Sequence, residues 1–209
     1  MAANIVDAFR ESRVTAIIRT KSADLAAKAM EAAVRGGIRI LEFTWTTPGA
    51  VELVREFARR PELIVGAGTI LRTEDAEIAV RAGAQFLVSP VVDERIIDAA
   101  LAANVTPMPG CATPTEMWRA YERGAPMQKL FPMGNGPAEI SAILAPLPFL
   151  KIVPTNGVDL TNVAAYLQAG AWSCGLVASL FPADAMARGD WAAVEANARA
   201  LIAEARRPV

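Results

Sequence analysis

The chain has 209 residues and is 53% hydrophobic, which is ample for a substantial core and makes one domain over residues 1–209 the default. Its formal net charge of −1 offers no basic surface, so neither nucleic acid nor an acidic membrane is an expected partner. It contains no histidine, so acid–base chemistry near neutral pH falls to a carboxylate, lysine, cysteine, tyrosine or water. The same absence excludes imidazole metal sites and a Ser-His-Asp triad. Two cysteines, Cys111 and Cys174, are too few for a disulfide framework, and neither lies in a C-x-x-C motif. The N-terminus Met-Ala-Ala-Asn-Ile-Val-Asp has no basic stretch followed by an apolar run, so no signal peptide is read there. The apolar runs are short and punctuated, none spans a membrane, and a reducing cytoplasm is the expected compartment.

In chain order, a short amphipathic helix over Ile5–Glu11 comes first, placed to cap the bottom of a barrel. Eight short apolar runs then follow: Val14–Ile18, Ile38–Phe43, Leu63–Val65, Gln85–Val88, Val105–Met108, Met127–Phe131, Leu150–Val153 and Ser173–Val177. They are rich in Val, Ile and Phe and mostly end near Gly, Pro, Ser or Thr, as buried parallel strands do. Helical patterns separate them. Ala23–Arg35 places Leu25, Ala29 and Ala33 at i, i+4 spacing, and Glu74–Ala82 and Asp93–Ala103 behave alike. Ser22, Thr73 and Thr113 are the expected N-caps, and Thr113 with Glu116 three residues on forms a capping-box pattern. Gly36-Gly37, Gly83 and Gly170 read as helix C-caps, and Trp191–Arg206 as the last helix.

Such alternation closes either into a (β/α)8 barrel or into an open doubly wound sheet. No Gly-x-Gly-x-x-Gly follows the first run; the nearest cluster, Gly66-Ala67-Gly68-Thr69, follows the third. The expectation is therefore an α/β fold: a single (β/α)8 TIM barrel with an N-terminal capping helix. A barrel carries its active site at the C-terminal ends of the strands, so polar residues there bear the functional question.

Of four lysines, Lys21 and Lys28 fall at a helix and Lys151 begins the seventh run near the barrel bottom. Lys129 instead lies inside the sixth run, in Met127-Gln128-Lys129-Leu130-Phe131-Pro132. Desolvation disfavours a charged amine, and attack on a ketone requires a neutral one. The alternative is a lysine that snorkels from the barrel end or pairs with a carboxylate. Glu42, in Ile40-Leu41-Glu42-Phe43-Thr44, shares a strand face with Thr44 and is either a proton shuttle or a structural partner of Arg19 or Lys129. Arg19 ends the first run and suits a carboxylate, although an ordinary surface ion pair reads equally well. Thr69, Thr46 and Thr47 offer hydroxyls after strands, with a helix-start residue as the alternative for Thr69. Pro90, Pro109, Gly110 and Phe131 are pocket walls or turn chemistry. In a barrel, Lys129, Glu42, Arg19 and Thr69 converge, which suggests carbinolamine formation, proton shuttling and binding of a keto-acid carboxylate.

The segments Gly37–Thr44, Val65-Gly66-Ala67-Gly68-Thr69, Ala82–Phe86, Val88-Ser89-Pro90, Met108–Glu116, Lys129-Leu130-Phe131-Pro132 and Val153-Pro154-Thr155, in this order and spacing, carry a resemblance. From about Ile17 to Phe181 the chain resembles the 2-keto-3-deoxy-6-phosphogluconate (KDPG) aldolase and 4-hydroxy-2-oxoglutarate aldolase family. The resemblance implies a class I aldolase in which Lys129 forms a Schiff base with a 2-keto acid and Glu42 moves protons. It implies that Arg19 and Thr69 line the carboxylate end and that Phe131 and Pro90 wall the pocket. It further implies a homotrimer with no cofactor or metal. Thr46 stands where many members carry a second arginine.

Members that bind a phosphate carry Thr-Gly-Gly after strand 7 and Gly-Ser after strand 8. Here Thr155-Asn156-Gly157 and Val177-Ala178 stand at those places, with Ser179 as a substitute if the turn shifts by one residue. The segment Met133–Pro137 is shorter than in typical members. Three functions follow as expectations. The first is cleavage of a 2-keto-3-deoxy sugar acid, phosphorylated or not. The second is 4-hydroxy-2-oxoglutarate cleavage or oxaloacetate decarboxylation on the same lysine. The third is a non-catalytic barrel that binds a metabolite or partner; an isomerase on a phosphate-binding barrel is disfavoured by the altered loops.

Overall fold

A computed structural model of the chain describes residues 5–132 and 135–207. The first four residues of the N-terminus, and Met133 and Gly134 of the segment after Lys129, lie outside the described residues. The strands are β1 (Val14–Ile18), β2 (Ile40–Thr44), β3 (Ile64–Gly68), β4 (Phe86–Ser89), β5 (Thr106–Cys111), β6 (Gln128–Leu130), β7 (Ile152–Pro154) and β8 (Cys174–Leu176). All pair in parallel, in the spatial order β7-β6-β5-β4-β3-β2-β1-β8. A parallel bridge between Thr155 and Gly175 joins the two ends of that order, and Trp172 N–H donates to Ile152 O at 2.8 Å. The expected TIM barrel is therefore closed.

Helices α1 (Ile5–Ser12), α2 (Ala23–Arg35), α3 (Ala50–Phe57), α4 (Thr73–Arg81), α5 (Glu94–Ala102), α6 (Pro114–Glu122), α7 (Pro137–Leu144), α8 (Val163–Gln168), α9 (Ala183–Arg188) and α10 (Trp191–Ala205) accompany the strands. Two cores result from the period-two alternation of strand side chains. One set, including Ala16, Leu41, Phe43, Val65 and Ile152, packs outward on the helices. The other, Ile40, Phe86, Val88, Met108, Met127 and Val153, fills the barrel interior. α1 closes the bottom as expected: Phe9 is fully buried in that interior set, edge-on to Phe86 at 5.0 Å between ring centres, and Trp172 Nε1–H donates to Val6 O.

The structure redraws several boundaries. β3 runs on through Gly66-Ala67-Gly68 rather than stopping before it. A Cβ on Gly66 would stand 2.5 Å from the Phe86 ring, so glycine here makes room for a large neighbour across the strands. β5 likewise continues through Pro109 and Gly110, and a Cβ on Gly110 would meet the Pro90 backbone at 2.6 Å. Thr73 is the first helical residue of α4; Arg72 is the cap and makes no side-chain cap bond. Ser22 and Thr113 do cap their helices, and the Thr113–Glu116 box is complete. Gly37, Gly83 and Gly170 sit at φ of 109°, 102° and 104°, the left-handed turn-off after a helix end. The short helix α9, between β8 and α10, has no counterpart in the sequence reading. No helix among the described residues is long and apolar enough to cross a membrane.

Candidate active site

Strand alternation aims Glu42, Lys129 and Gly68 into the barrel. Glu42 and Thr44 share the face that also carries Ile40, and Lys129 shares the face of Met127. Lys129 lies at the centre of β6, paired with Gly110 of β5 and Val153 of β7. Its Nζ stands 3.6 Å from Glu42 Oε1 and 5.6 Å from the centre of the Phe131 ring. The Lys129 side chain is 10% exposed and that of Glu42 fully buried. Neither carboxylate oxygen of Glu42 has a hydrogen-bond partner among the described residues. A buried, unbonded carboxylate is costly, so this one is an exception that asks for a role.

The space for that carboxylate comes from Gly68. A Cβ there would lie 1.9 Å from Glu42 Oε1, closer than any real contact. Gly175 does the same service across the barrel, where a Cβ would meet Thr155 Oγ1 at 2.5 Å and Ile17 Cδ1 at 2.7 Å.

Arg19 leaves the end of β1 and is held by hydroxyls alone. Its Nη1 donates to Thr46 Oγ1 at 2.5 Å and its Nη2 to Thr69 Oγ1 at 3.0 Å. Thr44 and Thr46 hydroxyls lie 3.4 Å apart, and Thr44 and Thr47 hydroxyls 3.2 Å apart. No carboxylate among the described residues pairs with Arg19, so the surface ion pair is replaced by a guanidinium with its charge uncommitted. Thr69 adopts φ of 61°, a conformation rare for a β-branched residue. It is no helix-start residue, since α4 begins at Thr73; the strained backbone turns its hydroxyl to Arg19.

These side chains line one cavity of about 240 Å³ at the C-terminal mouth of the barrel. Arg19, Glu42, Thr69, Pro90, Lys129, Phe131, Thr155 and Asn156 of the expected set all reach it, and Ile17, Thr44 and Val177 join them. Thr46, Gly157 and Ser179 do not line it. Thr46 acts behind Arg19, and Ser179 Oγ is buried without a hydrogen-bond partner in the turn after β8. That turn is closed by Phe181 N–H donating to Val177 O at 3.0 Å. Asn156 has φ of 76°, as does Gly157, so asparagine keeps the left-handed backbone of a glycine position. The roles of Gly68, Thr44 and Ile17 were missed in the sequence; the glycine inside an apolar run was the available signal for Gly68.

The cysteines stand apart from this chemistry. Burial, with Glu116 as a lesser influence, pushes the Cys111 thiol up to about 12, and burial alone raises Cys174 further. Both are free and buried. Among the described residues no three His, Cys, Asp or Glu side chains gather as metal ligands.

The family model for the aldolases described as KDPG and KHG aldolase matches residues 5–197. The chain is 36% identical over 205 residues to the 2-dehydro-3-deoxy-phosphogluconate aldolase of Pseudomonas aeruginosa, covering 95% of this chain and 93% of that one. It is 33% identical over 196 residues to the KHG/KDPG aldolase of Escherichia coli K12, covering 92% of each. Among solved structures, the KDPG aldolase of Legionella pneumophila, with pyruvate captured as a covalent carbinolamine, superposes with a TM-score of 0.85 at 26% identity over 96% of this chain and 99% of that one. On the matched length and identity, this chain belongs to the KDPG and KHG aldolase family.

Proposed function

We propose that the chain is a class I aldolase that cleaves a 2-keto-3-deoxy sugar acid, KDPG in the first instance, to pyruvate and an aldehyde. One observation carries this reading: the buried Lys129 amine lies 3.6 Å from an otherwise unbonded Glu42 carboxylate, inside a cavity edged by the free Arg19 guanidinium. Lys129 attacks C2 of the keto acid. Glu42, directly or through water, carries protons during loss of water from the carbinolamine. The resulting iminium is the electron sink. Glu42 then takes the C4 hydroxyl proton, the C3–C4 bond breaks, and the aldehyde leaves. The remaining enamine is protonated at C3 and hydrolysed to pyruvate. Arg19, backed by Thr46 and Thr69, holds the carboxylate. Phe131 and Pro90 wall the pyruvyl half and Thr155 and Asn156 the aldehyde half, while Gly157 and Ser179 belong to the loops after β7 and β8 without lining the cavity. The reaction needs no cofactor.

Treatment with borohydride and pyruvate is expected to leave one reduced pyruvyl group on Lys129, located by peptide mass. Lys129→Ala is expected to lose both the adduct and the activity. An active enzyme with an unmodified Lys129 would sink the reading.

A second reading keeps the lysine and shortens the substrate to 4-hydroxy-2-oxoglutarate or oxaloacetate. It is favoured by Val177, whose side chain reaches the cavity where a phosphate-binding member carries glycine. Comparing kcat/KM for KDPG and its dephosphorylated analogue separates the two; a large preference for the phosphate form rejects the second.

The protein is also read as one cytoplasmic barrel domain that assembles as a homotrimer. Both thiols are free, as a reducing compartment leaves them. Trp118 and Tyr121 on α6 and Phe149 before β7 form an exposed aromatic group, as subunit faces do. A structure similar to this chain, with a TM-score of 0.84 and 28% identity, is a cage designed by fusing symmetric oligomeric domains; the match covers 93% of this chain and 72% of that one.

A further inference from the structure

The turn after β2 brings three hydroxyls together. Thr47 N–H donates to Thr44 O at 2.9 Å, which folds Thr47 back over the strand end. The Thr44 and Thr47 hydroxyls then lie 3.2 Å apart, and both residues are buried. Thr46 stays exposed, with its hydroxyl 3.4 Å from that of Thr44. Of the three, Thr44 lines the Lys129 cavity.

The donors around this group fix which way its protons point. A guanidinium and a backbone N–H can only donate. Arg19 Nη1 therefore makes Thr46 Oγ1 an acceptor, and Thr20 N–H, 3.2 Å away, does the same to Thr47 Oγ1. Thr47 keeps its own proton to give, and the hydroxyl within its reach among the described residues is that of Thr44. Thr44 Oγ1 thus accepts, and its own proton has two directions left. Thr46 Oγ1 at 3.4 Å lies beyond the usual O–H···O length and already accepts the Arg19 bond. The other direction is the cavity. Glu42, two residues back on the same face, does not take the proton, because neither of its oxygens has a hydrogen-bond partner among the described residues. A buried hydroxyl proton without an acceptor is costly, so Thr44 calls for one on the ligand.

We propose that Thr44 is a further substrate-binding residue, whose hydroxyl donates to the keto-acid carboxylate beside Arg19. The proposal rests on the Schiff-base reading of Lys129. A keto acid joined to Lys129 at C2 carries its carboxylate on the neighbouring carbon, where Arg19 holds it. Thr44 stands on β2 between Glu42, which faces Lys129, and Thr46, which holds Arg19. The C2 oxygen leaves as water when the iminium forms, whereas the carboxylate stays through every step and accepts without donating. A hydrogen bond to such a charged group is worth about tenfold or more in affinity.

The test compares borohydride trapping of pyruvate and of acetone on Lys129 in the intact enzyme, both below saturation. Acetone offers the same ketone with a methyl group in place of the carboxylate. The ratio of the two trapping rates cancels any loss of folded enzyme. Thr44→Val keeps the shape and removes the hydroxyl, and is expected to lower the pyruvate-to-acetone ratio about tenfold or more. Thr44→Ser restores the hydroxyl and is expected to keep the ratio within about twofold of the parent. If Thr44→Val folds poorly, Thr44→Ala serves the same comparison. An unchanged ratio in Thr44→Val, or an equal fall in Thr44→Ser, overturns the proposal. A fall that vanishes when Thr44→Val is made in a Thr46→Val background also overturns it, because Thr44 would then act only through Arg19. The causes of failure stay separate: no adduct on Lys129 of the parent enzyme rejects the Schiff-base reading itself, whereas an adduct with an unchanged ratio rejects only the role of Thr44.

Discussion

Lys129 and Glu42 are an unusual pair because each lacks the partners that normally settle a buried charge. Their separation of 3.6 Å is longer than a strong charge-assisted hydrogen bond, and Glu42 has no other donor among the described residues. A structural ion pair would be expected to close that gap and saturate the carboxylate; a reacting pair must leave room between them for substrate atoms. Gly68 sets that room. Gly68→Ala is expected to leave the barrel folded by circular dichroism while displacing Glu42, with kcat falling by about 10²–10⁴, the range for loss of a general acid–base group. Glu42→Gln should match it in kcat. A Gly68→Ala enzyme of normal kcat would show that the carboxylate position is immaterial.

Val177 and Ala178 pose the other residue-scale question. Only Arg13, Thr69, Asn104 and Asn156 among the described non-glycine residues have positive φ, so valine sits at 177 without backbone strain. Its influence is therefore through its side chain, which occupies part of the distal cavity. The double variant Val177→Gly, Ala178→Ser is expected to raise the ratio of kcat/KM for KDPG over its dephosphorylated analogue about tenfold or more, by exposing backbone N–H groups to the phosphate. An unchanged ratio would place phosphate discrimination elsewhere in the loops.

Elements are joined by local devices that were readable from short motifs. The Thr113–Glu116 box starts α6 directly after the β5 strand that flanks Lys129. The N–H of Ala112, followed by the Thr113 hydroxyl, holds the Glu116 carboxyl below the usual range. A depressed carboxyl contributes stability above its unfolded pKa and loses it as pH falls through the folded value. Glu116→Gln is therefore expected to be less stable than the parent near neutral pH and to converge with it as acidification passes below the ordinary glutamate range and through the lowered folded value. Urea midpoints across pH check this; a gap that widens on acidification contradicts it. Strand ends were less readable. Gly66-Ala67-Gly68 and Pro109-Gly110 look like turns because glycine and proline weaken isolated strands. They are strand here because a large residue on a neighbouring strand, Phe86 or Glu42, or the Pro90 backbone fills the space a side chain would take.

At the scale of the whole molecule, the barrel closes through a single bridge, Thr155 to Gly175, beside the distal half of the site. The aromatic group of Trp118, Tyr121 and Phe149 faces away from the barrel core at 42%, 37% and 38% exposure. If it is the subunit face, Tyr121→Glu is expected to shift the mass measured by light scattering from trimer to monomer, with the Lys129 adduct retained. A trimer that persists in Tyr121→Glu would locate the contact elsewhere.

The order of eight apolar runs and the helix that plugs the barrel base were legible in the sequence itself, which also singled out Lys129 and Glu42 as candidates. Period-two alternation and a lysine inside an apolar run are local properties, and the order and spacing of short motifs carried the family resemblance. The tertiary structure alone decided that Arg19 is held by Thr46 and Thr69 rather than by a carboxylate, since those hydroxyls come from separate loops. It alone decided that Gly68 makes the space for Glu42 and that Val177 lines the cavity of Lys129. These are contacts between residues far apart in the chain, set by closure of the barrel, and no local pattern encodes which side chain will stand opposite which.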